Sequence, residues 1–226
     1  MPENLYLSLP AVKLPSVRRT NDDVVALVHE NFKGDPQQWR RVERTMRFVF
    51  NTCGTVVRHV QVDERYAAGT HASNVARVVL EEQAVAVGAL DSVTYASIVR
   101  EYFEPSVATE IAWRLGVQQA ACYDVVSACA GPLVAIETLR GRAATDPHWK
   151  RGLVSTASLS EGFLGFDIQS IADLDELAAG LTIGNGATAT LVGREPFARG
   201  GRNVGSYSEG YPGHHAQYAH AAHVKR

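Results

Sequence analysis

The sequence predicts a layered α/β protein: a mixed, mostly parallel sheet with helices on its faces. Two observations predict it. From His71 onward the pattern runs helix, strand, helix, strand, helix, strand, and such alternation calls for crossovers that lay helices on a sheet. The chain is 226 residues long with 46% hydrophobic residues, enough for one sizeable core and short for two.

The elements follow in order. Thr20-Asn21-Asp22-Asp23 before VVALVHENF reads as a helix start, because short polar side chains accept from the unpaired first-turn amides. Gly34-Asp35-Pro36 stops that helix, and a second is expected over about 37–50, with Val42, Met46, Val49 and Phe50 at helical spacing. Gly54 and the β-branched run TVVRHVQV predict a short strand. A helix is expected over 73–87 on the face Val75, Val78, Val79, Val85 and Ala86, followed by the strand SVTYASIV. Pro105 opens a helix with Val107, Ala108, Ile111, Ala112 and Leu115 on one face, and Gly116 sits where a left-handed residue closes it. ACYDVV (121–126) and GLVSTA (152–157) are strands separated by the helix that follows Cys129.

Residues 158–179 are loosely amphipathic through Phe163, Phe166, Ile168, Ile171, Leu174 and Leu177, and GLTIGNGATATLVG predicts a glycine turn into a strand that can form an edge. The whole of 1–226 is expected to be one unit, with 200–226 a poorly patterned Gly- and His-rich tail in which Asn203 to Ser208 offers one further strand. Internal repeats and long low-complexity linkers are absent from the sequence.

Charge narrows the function. Lys+Arg 22 against Asp+Glu 24 gives −2, with no basic stripe interleaved with aromatics, so no nucleic-acid partner is expected. No apolar run reaches the roughly 20 residues of a membrane span, and MPENLYLSLP lacks signal-peptide layout, so a cytoplasmic location is expected. Three cysteines, Cys53, Cys122 and Cys129, lack C-x-x-C spacing, which argues for reduced thiols over a disulfide framework or a zinc site.

Cys129 stands out by position. A strand that ends at a cysteine and turns at once into a helix sets the thiol beside unpaired backbone amides, whose partial positive charge favours the thiolate that attacks acyl thioesters. Ala128, Ala130 and Gly131 leave room for an acyl group, Pro132 fits a first helical turn, and the same amides suit an oxyanion. The competing reading is a buried spacer, the usual fate of a free cysteine among small apolar residues. For Cys53 and Cys122, which lack that placement, the spacer reading is preferred.

Four segments in order carry a family resemblance: YDVVSACAGPLVAIETL (123–139), EPSVATEIAWRLG (104–116), RGLVSTASLS (151–160) and IGNGATATLVG (183–193). Together they resemble the nucleophile region of ketoacyl-ACP synthase III and its thiolase-fold relatives, over about 60–195. The resemblance implies the first of the two similar halves of a thiolase-like subunit, with Cys129 as acyl acceptor. It implies an acyl-CoA or acyl carrier protein thioester as substrate, no bound cofactor, and a twofold assembly joined through the strand near 121–126. It also implies that Trp39, Arg40 and Arg47 contact the pantetheine or nucleotide arm, the alternative being that they are solvent-facing helix residues. Phe103 and Glu104 stand where relatives place an aromatic residue that reaches into the partner subunit's pocket, and Asn185 and Thr188 replace the usual Asp and second Gly of the glycine turn. The family's decarboxylating His and Asn belong to the second half and have no match here, so a second chain or a further segment is expected to supply them.

The expected function is an acyl-thioester condensing enzyme of fatty-acid or polyketide-type biosynthesis, active as a complex. Two alternatives remain: a non-decarboxylating acyltransferase using the same cysteine, and a non-catalytic scaffold subunit. Other motifs fail on context. HHAQ (214–217) lies too close to the glycine turn to be the family's His motif, and His214, His215, His220 and His223 lack acidic or Cys co-ligands, so no metal is expected. Gly184-x-Gly186-x-x-Ala189 precedes a β-branched run where a dinucleotide fingerprint needs a helix, and no G-x-S-x-G elbow occurs.

Overall fold

The computed structural model describes residues 5–62, 68–159, 165–199 and 202–203. Strands β1 (Tyr6–Leu7), β2 (Ala11–Lys13) and β3 (Val17–Thr20) lead into helices α1 (Asn21–Asn31) and α2 (Pro36–Cys53), then β4 (Val57–Val60). After these come α3 (Ala68–Glu82), β5 (Ser92–Ala96), α4 (Val107–Leu115), β6 (Ala121–Val125), α5 (Gly131–Thr145), β7 (Arg151–Ser158), α6 (Ile171–Thr182), β8 (Gly186–Gly193) and β9 (Arg202–Asn203). The main sheet has the order β6-β5-β7-β8-β1-β9, with β2 also on β8, and β3 and β4 form a separate antiparallel pair.

The sheet is mixed, but its parallel part is confined to β6-β5-β7, so the expectation of a mostly parallel sheet needs correction. The pairs β7/β8, β8/β1, β8/β2 and β1/β9 are antiparallel. The reason lies in α6. Instead of crossing the sheet, it packs on α1 and α2, where Val24, Val28, Met46, Phe50, Leu174 and Leu181 form a separate core. β8 therefore starts beside the end of β7, with Gly186 opposite Ser158, and runs back along it.

Helices cover both faces of the sheet. On one, Val75 and Val79 of α3 and Ile111 and Leu115 of α4 pack on Val93, Tyr95, Leu153 and Leu191. On the other, Ala135, Leu139 and Ala143 of α5 meet Ala96, Val154, Val192 and Trp149. Away from the sheet α5 carries exposed Leu133 and half-buried Val134, whereas half-buried Ile136 packs against the sheet-side core.

Local signals set the helix ends. Thr20 and Asp23 form a reciprocal capping box on α1, Asp35 and Gln38 another on α2, and Gly116 closes α4 at φ 82°. α3 is displaced from the expected 73–87. It ends at Glu82 because Ala84 turns left-handed at φ 51° and Val85 N bonds back to Leu80 O. The Gln83 side chain then pairs with both backbone groups of Arg199. Of the strand expected over 203–208, Arg202–Asn203 are in β9 and the rest lies outside the described residues, as does Phe163.

Two caps make stability pH-dependent. The Thr20 backbone N–H and hydroxyl hold the Asp23 carboxyl below its ordinary value of 3.8, and the Gln169 N–H and the Ser170 hydroxyl do the same for Asp173 at the start of α6. A carboxyl with a lowered native value stabilises above the unfolded value and loses that contribution as pH falls through the native one. Thermal melts between about pH 5 and about pH 3 should therefore fall less steeply for Asp23→Asn/Asp173→Asn than for the wild type. Parallel curves would show that these caps contribute nothing.

Candidate functional site

β6 delivers the cysteine. After Val125 the chain leaves the sheet, Ala128 takes φ 42°, and Ala128–Ala130 form one 3-10 turn ahead of α5. Holding an alanine in that left-handed region costs on the order of 1 kcal/mol. Ala130 N bonds to Ser127 O at 2.9 Å, closing the turn. Gly131 lies beside Ala96, to which a Cβ added there would make ordinary contact at 3.6–3.7 Å, so α5 starts against the end of β5.

Cys129 is exposed in this chain. No side chain caps the N-terminus of α5. Ala130 N and Gly131 N already donate to Ser127 O and Ala128 O, and Pro132 has no N–H, so what the start of α5 offers an anion or oxyanion is its remaining first-turn amides and the positive end of its dipole. Cys122 is half-buried beside the α3–α4 core, its thiol pushed up by burial and lying 3.6 Å from Ala120 O. Cys53, read as a spacer, is instead exposed at the end of α2, because the helix runs past Phe50 to the chain's left-handed Gly54.

The remaining residues singled out in the sequence are not gathered around Cys129. Phe103 is 85% exposed and Glu104 is exposed; the Arg100 guanidinium lies 5.7 Å from the Phe103 ring centroid, and Glu104 is joined to Pro105 by a cis peptide. Trp39 is half-buried, with ring centroids 4.4 Å from His29 and 5.4 Å from Phe32, so it locks α2 onto α1. Arg47 is held by Asp22 at 2.8 Å and Glu43 at 3.0 Å, and those bonds raise its already high value. Arg40 is exposed. The tail histidines lie outside the described residues, among which no group of three or more metal-ligating side chains occurs. Nor is any described helix long and apolar enough to cross a membrane.

Three features have structural roles that the sequence does not show. The Asp124 carboxylate accepts from Val107 N and Ala108 N, tying β6 to the start of α4. Its one advance signal is an acid inside an otherwise apolar strand. Asn185 is buried and bonds to both His59 O and Gln61 N, which ties the glycine turn to β4. Gly184 is required there because a Cβ would approach the His59 backbone to 3.1–3.2 Å.

The layered sheet and its helices have a thiolase-like α/β fold. No family model matches it. It is similar to the beta-ketoacyl-[acyl-carrier-protein] synthase III of Lactococcus lactis subsp. cremoris, with 23% identity over 185 residues, covering 81% of this chain and 56% of the relative. The synthase III of Anaplasma marginale is 27% identical over 193 residues, covering 84% and 52%. Among solved structures, a Cys-to-Ser variant of Xanthomonas campestris OleA with bound lauric acid and lauroyl-CoA shares the fold at a TM-score of 0.73 and 18% identity, covering 86% of this chain and 57% of that one. The resemblance to synthase III-like proteins is thus one to their N-terminal portion. The chain spans about half the length of the curated relatives it matches.

Proposed function

We propose that this chain is the first half of a ketosynthase III-like condensing enzyme and that Cys129 carries the acyl group. The observation that supports this most is the exposed thiol at the uncapped start of α5, held there by the left-handed Ala128. In the acylation step the Cys129 thiolate attacks the carbonyl carbon of an acyl-CoA or acyl carrier protein thioester. A new C–S bond forms, the oxyanion is held by the α5 amides, and its collapse expels the donor thiolate, which takes up a proton. Carbon–carbon bond formation then consumes the acyl-cysteine.

The other half of the site, with the His and Asn that activate the second substrate, comes from a companion half-fold, in a second chain or in a continuation of this one. Supporting this are the span of about half of the relatives' length and the apolar Leu133 and Val134 of α5, which face away from the sheet. A twofold assembly through the β6 edge would carry Phe103 and Glu104 into the partner subunit's acyl pocket.

The reading is tested by mass spectrometry of the protein, purified with whatever completes it, after exposure to acyl-CoAs of increasing length. An acyl adduct on Cys129, discharged by a malonyl thioester with release of CO2, is the expected result. Discharge by an amine or hydroxyl acceptor alone would establish acyl transfer without condensation. A Cys129 that stays unmodified across the series would refute the acyl-carrier role and leave a scaffold.

A further inference from the structure

One cross-strand pair clamps both ends of the loop that carries Phe103 and Glu104. Tyr95 on β5 and Asp124 on β6 stand opposite each other in the parallel register, and both face α4. The buried Tyr95 hydroxyl donates to Val99 O at 2.7 Å and lies 3.1 Å from Ala157 O. Ser97 Oγ supports the same end, donating to Ala157 O at 2.8 Å and accepting from Val99 N at 3.0 Å.

At the other end the two Asp124 oxygens accept separately from Val107 N at 3.0 Å and Ala108 N at 2.9 Å. These are the first amides of α4, where the helix dipole favours a carboxylate. Between the two ends, Glu101 accepts from Ala68 N at 2.5 Å and Tyr102 donates to Glu110. What this anchored backbone leaves outside is Ile98 at 64% exposure, Phe103 at 85%, and Glu104. A large apolar ring held in water on a backbone fixed at both ends is arranged for a contact outside its own chain.

We infer that Asp124 is a positioning residue: through the start of α4 it fixes where Phe103 and Glu104 stand, and so sets which acyl chains the partner subunit's pocket accepts. This rests on the assembly proposed above. β6 runs directly on from Asp124 to the Cys129 turn, so a single strand sets the nucleophile of one subunit and the pocket wall it lends to the other. Asparagine at 124 keeps one acceptor and turns an amide donor toward the second N–H; alanine removes both acceptors. Val107, Ala108 and Ile111 are fully buried and keep α4 seated in either case, so the loop is what loosens.

The experiment compares the wild type, Asp124→Asn, Asp124→Ala, Phe103→Ala and Phe103→Ala/Asp124→Ala in the completed protein. Amide exchange over residues 98–108 reads the clamp without any acyl chemistry. It should accelerate about tenfold or more in Asp124→Ala and less in Asp124→Asn, with β7 and β8 unchanged. Acylation kinetics across chain lengths read the function: KM for the preferred acyl-CoA should rise several-fold with kcat nearly kept, and Phe103→Ala should add little in the Asp124→Ala background.

Unchanged exchange over 98–108 would overturn the clamp whatever Cys129 does. Additive effects of the two substitutions on KM would overturn the positioning role. A wild-type Cys129 that never acylates, with exchange accelerating as expected, would refute the acyl-pocket function and leave Asp124 as the anchor of an interface loop.

Discussion

Cys129→Ala should abolish the acyl adduct and lower condensing activity by roughly three orders of magnitude or more, the scale expected when a covalent nucleophile is removed. Cys129→Ser should do nearly as badly. A serine hydroxyl is a far weaker acid than a thiol and a poorer nucleophile toward a thioester. Stability should hardly move in either variant, because the side chain is exposed and the turn is closed by Ala130 N on Ser127 O, a bond neither substitution touches. Cys53→Ser is the control: its thiol is also exposed, but it sits at the C-terminal end of α2 and not at the start of a helix. An adduct that survives Cys129→Ala and disappears with Cys53→Ser would place the acyl chemistry elsewhere and end the proposal.

The placement of that thiol was legible because its signals are local. A β-branched strand, three small residues and Pro132 in a first helical turn can be read within one short window. So can the helix start at Thr20 and the left-handed Gly116, both of which the structure realises, whereas Asp35, which reads as part of a helix stop, is the N-cap of α2. What failed depends on residues far apart. α6 has an amphipathic pattern that would serve equally well against a sheet, and its choice of α1 and α2 as partners turned β8 antiparallel. α3 was misplaced because Val85 and Ala86 continue the helical spacing, while Ala84 turns left-handed and the neighbouring Gln83 clasps Arg199, over a hundred residues away. Trp39 and Arg47 look like ligand-binding residues in isolation. Their actual neighbours are His29 and Phe32 in the α1 region for Trp39, and Asp22 on α1 and Glu43 on α2 for Arg47. Asp124 reads in the sequence as a strand residue without a role, since its acceptor function exists only once α4 has been laid against β6.

The largest loss of stability should come from Trp149→Ala, beneath the helix that carries the nucleophile. Trp149 is 1% exposed and packs with Leu139 and Ala143 of α5, Leu5 and Val192. Its indole N–H donates to Ser92 Oγ at 3.0 Å, and its backbone carbonyl accepts from Arg194 Nε at 2.6 Å. Removing a buried tryptophan side chain costs about 3–5 kcal/mol through lost transfer energy and the cavity left behind. The fully buried Ser92 hydroxyl, deprived of its donor, adds to that, though not independently, because both losses occur at one contact. Against a whole-domain stability of roughly 5–15 kcal/mol, such a variant sits near the threshold of folding. Trp149→Phe separates the two contributions: it keeps most of the apolar area, loses the N–H, and should cost only about 1–2 kcal/mol. Denaturant midpoints at unchanged m-value measure both. Gly152 makes the contact tight enough for the consequence to reach the site, since a Cβ there would lie 2.8–2.9 Å from the Leu139 methyls. With no slack between β7 and α5, a cavity at Trp149 lets Leu139 drop and tilts the helix whose first turn follows Cys129. Acylation by acyl-CoA should therefore slow in Trp149→Phe even at temperatures where it is fully folded; a Trp149→Phe variant that acylates at the wild-type rate would show that α5 is held in place by its other contacts alone.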